Sequence, residues 1–267
     1  MDVIKSRDSN RIYITYKVIG GVLDFRFFLG EETPELTVAK LNFYAGRADV
    51  PPFWALGFHQ CRWGYKNASA LLDVLANYEK NDLPLDTIWT DIDYMINYED
   101  FTIDESRFPL SVMKNITDRY RYIPIIDAGI KTTGSAYDEG LKRNVFVKDA
   151  SGKKPFVGKV WPGETTFVDF FHPNATQYWK DMLDVLYKKV QFSGVWLDMN
   201  ELANFCDGAC EAPSSPSTFD YSKDLPYQPG SDNIESHTIS LNATHYGNIS
   251  EANAHAFSAF LETYATN

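Results

Sequence analysis

From Pro51 onward the chain alternates short apolar runs with longer stretches whose apolar residues recur at helical spacing. Trp54–Cys61 is a short apolar run, followed by an amphipathic segment that predicts a helix over Ala68–Lys80. Thr87–Ile92 reads as the next strand, a helical stretch lies near Leu110–Arg121, and Tyr122–Ile126 is a third strand. Trp179, Met182, Leu183, Leu186 and Tyr187 share one side of a helix over Asn174–Val190, with a capping residue before it. Gly194–Leu197 supplies a fourth strand, and Glu251–Tyr264 a final helix. Strands alternating with helices predict a parallel sheet covered by helices outside it. Residues 206–236 are rich in Pro, Ser and Gly and read as a loop excursion away from the core.

The texture before Pro51 differs. Arg11–Val18 and Leu23–Leu29 are β-rich runs separated by Gly20-Gly21, the pattern of a hairpin. Pro34 then opens a helical pattern through Leu36, Ala39, Leu41 and Phe43. Two strands alone bury no core. Residues 1–32 are therefore expected to be the tail of a β-sandwich domain whose body is absent, with 33–50 a helical linker. Residues 51–267 are expected to form the first half of an α/β barrel of the (β/α)8 (TIM) type.

The strand ends carry the candidate chemistry. Asp91 and Asp93 follow Trp89, Asp127 follows Ile126, and Asp198 follows Leu197. Parallel α/β barrels and open sheets place their functional groups at the C-terminal ends of strands. In Trp196-Leu197-Asp198-Met199-Asn200-Glu201, alternation puts Trp196 and Asp198 on one strand face, and Glu201 lies beyond the strand. Trp89 and Asp91 repeat that pairing, so two strands are expected to grip a polyol from both sides. Asp93 reads better as a hydrogen-bond anchor for its loop.

Composition narrows the partner. The 267 residues carry a formal net charge of −11, a field that repels phosphate backbones and anionic headgroups. Nucleic acid is thus not an expected partner, and no apolar run is long enough to span a bilayer. Aromatic content is 15%, which suits a neutral ligand whose C–H faces stack on rings. The five histidines are scattered and no metal-ligand spacing appears, so no metal is expected. No glycine-rich phosphate loop and no nucleophile elbow follows a strand, so no cofactor and no serine hydrolase are expected either. Carboxylate chemistry on a sugar remains, because glycoside hydrolysis needs two carboxyl groups and no cofactor.

Four segments carry a resemblance. They are Pro51–Tyr65 (PPFWALGFHQCRWGY), Trp89–Met95 (WTDIDYM), Val160–Gly163 (VWPG) and Trp196–Glu201 (WLDMNE). In this order they resemble glycoside hydrolase family 31, most closely its α-glucosidases of the lysosomal acid, maltase-glucoamylase and sucrase-isomaltase kind. The resemblance implies that Asp198 is the nucleophile of a retaining reaction, with Glu201 an acid supporting it. It implies that Asp91 binds sugar hydroxyls, that Trp63, Ile125, Trp161, Trp196 and Met199 line the same subsite, and that Asp127 is a strand-end acid near the pocket. Leu202-Ala203 and Asp127-Ala128-Gly129 depart from the usual Pro-Ser and Asp-Pro patterns as local loop changes. The family's general acid has no counterpart in this sequence, so the chain is expected to be a piece truncated at both ends and inactive alone. A non-catalytic sugar-binding remnant and an inactive fragment are the alternatives.

Sequons at Asn67, Asn115, Asn174, Asn242 and Asn248 favour a secretory origin, and the family adds a lysosomal or extracellular location. Cys206 and Cys210 are close enough in sequence to form a disulfide, which would leave Cys61 as a buried thiol; three free thiols are the alternative.

Overall fold

The computed structural model describes residues 2–8, 10–30, 32–210, 225, 227, 228, 230 and 234–267. Its centre is a curled sheet of four parallel strands, half of a barrel wall. The chain begins with β1 (Asp2–Arg7) antiparallel to β2 (Ile12–Lys17), followed by α1 (Pro34–Ala45). Next come β3 (His59–Gln60), α2 (Ala68–Lys80), β4 (Thr87–Thr90), α3 (Leu110–Arg119) and β5 (Arg121–Asp127). A three-stranded antiparallel sheet then departs from the barrel: β6 (Gly129–Lys131), α4 (Ser135–Arg143), β7 (Gly158–Val160) and β8 (Gly163–Phe167), in the order β6-β8-β7. Helix α5 (Ala175–Lys189) leads back to β9 (Trp196–Asp198), which completes the parallel order β3-β4-β5-β9. The ribbon β10 (Thr244–His245) and β11 (Ile249–Ser250) precedes α6 (Glu251–Ala254) and α7 (Ser258–Thr266).

Local chemistry explains the elements that match expectation. Helix α2 starts where Asn67 Oδ1 accepts the Ala70 N–H at 2.9 Å, and it buries Ala68, Leu71 and Leu75 on one side. Helix α5 buries Ala175, Tyr178, Trp179, Met182 and Leu186 at the same periodicity. It starts one residue later than expected, with Asn174 at the N-cap position. The Asn174 side chain makes no capping bond and donates instead to the Arg143 carbonyl at 3.4 Å. Strands β4 and β5 are buried almost throughout, as a sheet covered on both faces requires.

Several expectations are corrected. The N-terminal hairpin lies one strand earlier than the Gly20-Gly21 reading placed it, and Leu23–Leu29 forms no strand. Asp8 decides this, because its Oδ1 accepts the N–H groups of Asn10 and Arg11 at 2.9 and 2.8 Å and closes the turn there. Helix α1 forms behind Pro34 but buries none of its residues. Cys61 is exposed and not buried, although crowding around its sulfur and the nearby Asp91 push the thiol up to about 11. The last helix is two, broken at His255–Phe257. Among the described residues no helix is long and apolar enough to cross a membrane.

Candidate active site

The C-terminal ends of β4, β5 and β9 lie side by side. Ile125 pairs in register with Trp196, and Asp127 with Asp198. Because alternate strand residues share a face, Trp89 with Asp91, Ile125 with Asp127 and Trp196 with Asp198 point to one side of the sheet. The Trp89 and Trp196 rings meet with centroids 5.8 Å apart. Trp89 Nε1 donates to His59 Nδ1 at 3.0 Å, and His59 Nε2 faces the Ala55 carbonyl at 3.2 Å. That pair of contacts assigns the imidazole proton to Nε2. A row of rings therefore runs from β3 to β9 one layer below the acids.

The acids feel one another. Asp127 is buried, and neither of its carboxylate oxygens has a hydrogen-bond partner among the described residues. Burial, then the charges of Asp198, Asp91 and Glu201, raise its pKa to about 7. Asp91 is half-buried, and desolvation with the nearby Asp93 and Asp198 raises it as well, against a bond from the Ile92 N–H at 2.8 Å. Behind the site, Asp100 Oδ1 accepts the Asp127 N–H at 2.9 Å, and burial with the Asp127 charge lifts Asp100 well above the carboxylate range. Asp91, Asp127, Asp198 and Glu201 thus occupy one electrostatic neighbourhood assembled from three strands.

A second cluster stands beside it. Trp161 occupies the β7–β8 hairpin tip, where Gly163 takes φ +101°, a backbone region strained for a side-chain-bearing residue. Its ring meets Trp63 at 5.9 Å and Phe205 at 5.2 Å. Both tryptophans are exposed, Trp63 at 59% and Trp161 at 42%. Among the described residues no ring contact joins this cluster to Trp89 or Trp196; loops make the connection. Asp93 Oδ2 accepts the Gly64 N–H at 2.7 Å and ties the Trp63 loop to the Asp91 segment, the anchoring role read for it from the sequence. Asn204 Oδ1 accepts the Lys159 N–H at 2.8 Å, and the Phe205 N–H donates to Lys159 O at 2.8 Å, joining the loop after β9 to β7.

That loop begins in an unusual conformation. Met199 and Leu202 have φ of 57° and 60°, left-handed values that disfavour side-chain-bearing residues by about 1–2 kcal/mol each. Bonds from the Ala203 N–H to Met199 O, and from Thr238 Oγ1 to the Glu201 and Leu202 carbonyls, hold the turn. Glu201 is exposed beside it. Cys206 and Cys210 form a disulfide with Cα atoms 5.2 Å apart. Sequence reasoning singled out none of Asp100, Asn204, Phe205 and Glu262. Each looks in sequence like an ordinary loop or helix residue, and only the packing brings it to the site.

A half-barrel of parallel strands with acids at their C-terminal ends and indole rings beneath them defines a barrel hydrolase suited to carbohydrate. The chain belongs to glycosyl hydrolase family 31, whose TIM-barrel domain matches residues 48–266. It is 39% identical over 266 residues to a probable alpha-glucosidase of Oryza sativa subsp. japonica, covering 96% of this chain and 29% of that protein. Identity to the lysosomal acid alpha-glucosidase of Tetrahymena pyriformis is 42% over 202 residues, 73% of this chain and 22% of the relative. Alpha-xylosidase 1 of Arabidopsis thaliana is 37% identical over 296 residues, covering 100% of this chain and 32% of that protein. The crystal structure of a DNJ-bound glucosidase II alpha subunit superposes with TM-score 0.65 at 28% identity, covering 80% of this chain and 21% of that one. The chain thus spans about a third or less of the relatives it matches, and by family it is a glycoside hydrolase.

Proposed function

We propose that this chain carries the nucleophile half of a retaining α-glucosidase site acting on terminal, non-reducing α-linked glucose. The observation behind the reading is Asp198, placed at the end of β9 in register with Asp127 and within electrostatic reach of Asp91. An Asp198 oxygen attacks the anomeric carbon, the glycosidic oxygen leaves, and water later displaces the aspartyl ester, so that two inversions retain configuration. Asp91 accepts hydrogen bonds from sugar hydroxyls. Trp63 and Trp161 cover an apolar sugar face, while Ile125, Trp196 and Met199 shape the pocket wall. Glu201 supports the turn after the nucleophile.

No acid described here is assigned as the proton donor to the leaving group. Asp127 holds a proton near neutrality, but its oxygens are enclosed and cannot reach a glycosidic oxygen. The reading also takes residues 1–32 as part of a β domain, 33–50 as a linker and 51–267 as barrel. It places the protein in the secretory pathway, with a lysosomal or extracellular destination.

Turnover of α-glucosyl fluoride tests the assignment, because fluoride departs without being protonated. Fluoride release by the wild type and its loss in Asp198→Ala are expected. Equal release by both proteins, or none by the wild type, overturns the reading. The xylosidase relative supplies a second substrate class, and the xylosyl fluoride run in parallel decides between them.

A further inference from the structure

The loop that follows the nucleophile strand is pinned to the β7–β8 hairpin through a buried side chain outside every site motif. Asn204 is 1% exposed, and its carboxamide works on two elements at once. Oδ1 accepts the Lys159 N–H of β7 at 2.8 Å, and Nδ2 donates to the Gly208 carbonyl at 2.6 Å. The Asn204 N–H donates to the His237 carbonyl at 2.9 Å, and the Phe205 N–H to the Lys159 carbonyl at 2.8 Å. The order β6-β8-β7 makes β7 the edge of its sheet, and there Asn204 and Phe205 take both backbone groups of Lys159.

The sequence makes room for that carboxamide. A Cβ on Gly158 would lie 2.9 Å from Asn204 Oδ1 and 3.0 Å from the Phe167 ring. Gly158 does not have a positive φ, so what glycine supplies here is the close approach of the amide and not a special backbone shape. Leaving either end of a buried amide unpaired costs about 1–3 kcal/mol, so the matched partners fix one orientation of the group. Two residues beyond Lys159 stands Trp161, whose ring meets the edge of Phe205 at 5.2 Å. The same loop begins at the turn after Asp198, where the Ala203 N–H bonds to Met199 O at 3.1 Å. Asn204 therefore stands between the nucleophile strand and the Trp161 ring.

We propose that Asn204 is a positioning residue: by bridging Lys159 and Gly208 it fixes the Trp161 ring relative to Asp198, and so sets how tightly a sugar is held against the nucleophile. The inference rests on the reading of Trp161 as a sugar platform given above. Asn204 is enclosed and touches no substrate; it acts through the hairpin that carries Trp161.

The test reads the ring directly. The protein is produced with 5-fluorotryptophan, and the fluorine resonances of Trp161 and of the buried Trp179 are identified by their loss in Trp161→Phe and Trp179→Phe. Asn204→Ala and Gly158→Ala are each expected to shift or broaden the Trp161 resonance while that of Trp179, the marker of an intact core, stays in place. Gly158→Ala carries the test if Asn204→Ala does not fold. In titrations with 1-deoxynojirimycin, each variant is expected to raise Kd by about 3- to 10-fold, part of what loss of the ring itself would cost. Trp161→Ala should weaken binding at least as much, and adding Asn204→Ala to it should change Kd little further. An unmoved Trp161 resonance or an unchanged Kd in the folded variants, or effects that multiply with Trp161→Ala, overturn the proposal. Loss of the Trp179 marker in both variants overturns it too, since Asn204 then serves the fold and not the platform. A wild-type protein that does not bind the iminosugar refutes the sugar-site reading instead, and the fluorine spectra still decide the placement of the ring.

Discussion

Replacing Asp127 with Asn should make the protein more stable at pH 8 and less stable at pH 4. Asp127 is 1% exposed, so solvent screening does little to moderate its environment. Its pKa rises from 3.8 to about 7 through burial and the charges of Asp198, Asp91 and Glu201. The folded protein therefore binds more protons than the unfolded chain between those values, and stability falls as pH rises through that window. A rise of about 3 units at 1.36 kcal/mol each gives a penalty on the order of 4 kcal/mol, fully present above pH 7. The amide escapes that penalty but buries an NH2 group that lacks an assigned acceptor, at about 1–3 kcal/mol. The net effect is a gain of about 1–3 kcal/mol at pH 8 and a loss of similar size at pH 4, where both side chains are neutral. Urea denaturation of both proteins from pH 4 to 8.5 reads the crossing directly. Parallel curves, or Asp127→Asn the weaker protein at every pH, would refute the reasoning.

Other outcomes follow from the same geometry. Burial opposes charging of His245, yet bonds to Asp169 and Glu251 at 2.9 and 2.6 Å carry it up to about 9. Its stabilisation is complete below about pH 6.5 and lost as pH rises through 9, so His245→Gln should flatten the stability profile between those values, separately from the Asp127 window. Trp161→Ala removes a 42% exposed ring. It should weaken glucoside binding by about 1–2 kcal/mol while shifting the urea midpoint little, which isothermal titration and denaturation together decide. Asn67, Asn115, Asn174 and Asn248 are exposed, so secretory expression should add glycan mass that peptide N-glycosidase removes. An unchanged mass would contradict the secretory assignment.

The barrel strands and their helices were legible because burial enforces periodicity: Leu71 and Leu75, or Trp179, Met182 and Leu186, leave a pattern that needs no partner to be read. The antiparallel sheet of β6, β7 and β8 left none. Its strands are short and glycine-bearing, and they pack on a small second core of Phe156, Phe167, Leu202 and Ile239, drawn from distant parts of the chain. The hairpin failed for another reason, because the Asp8 side chain closes the turn one strand ahead of the Gly20-Gly21 pair that had advertised one. At the site, strand-end acids following apolar runs marked Asp91, Asp127 and Asp198. Asp100 and Glu262 gave no such signal, since an acid in a loop or helix is normally solvated, and only tertiary packing buries these two.

The central claim is that Asp198 is the nucleophile, and trapping its ester tests that claim most directly. The protein is incubated with 5-fluoro-α-glucosyl fluoride, digested and mapped by mass spectrometry. The account predicts one added fluoroglucosyl group on Asp198 and none in Asp198→Asn. A label on any other residue, or an unlabelled wild type beside a full-length α-glucosidase that reacts, would contradict it.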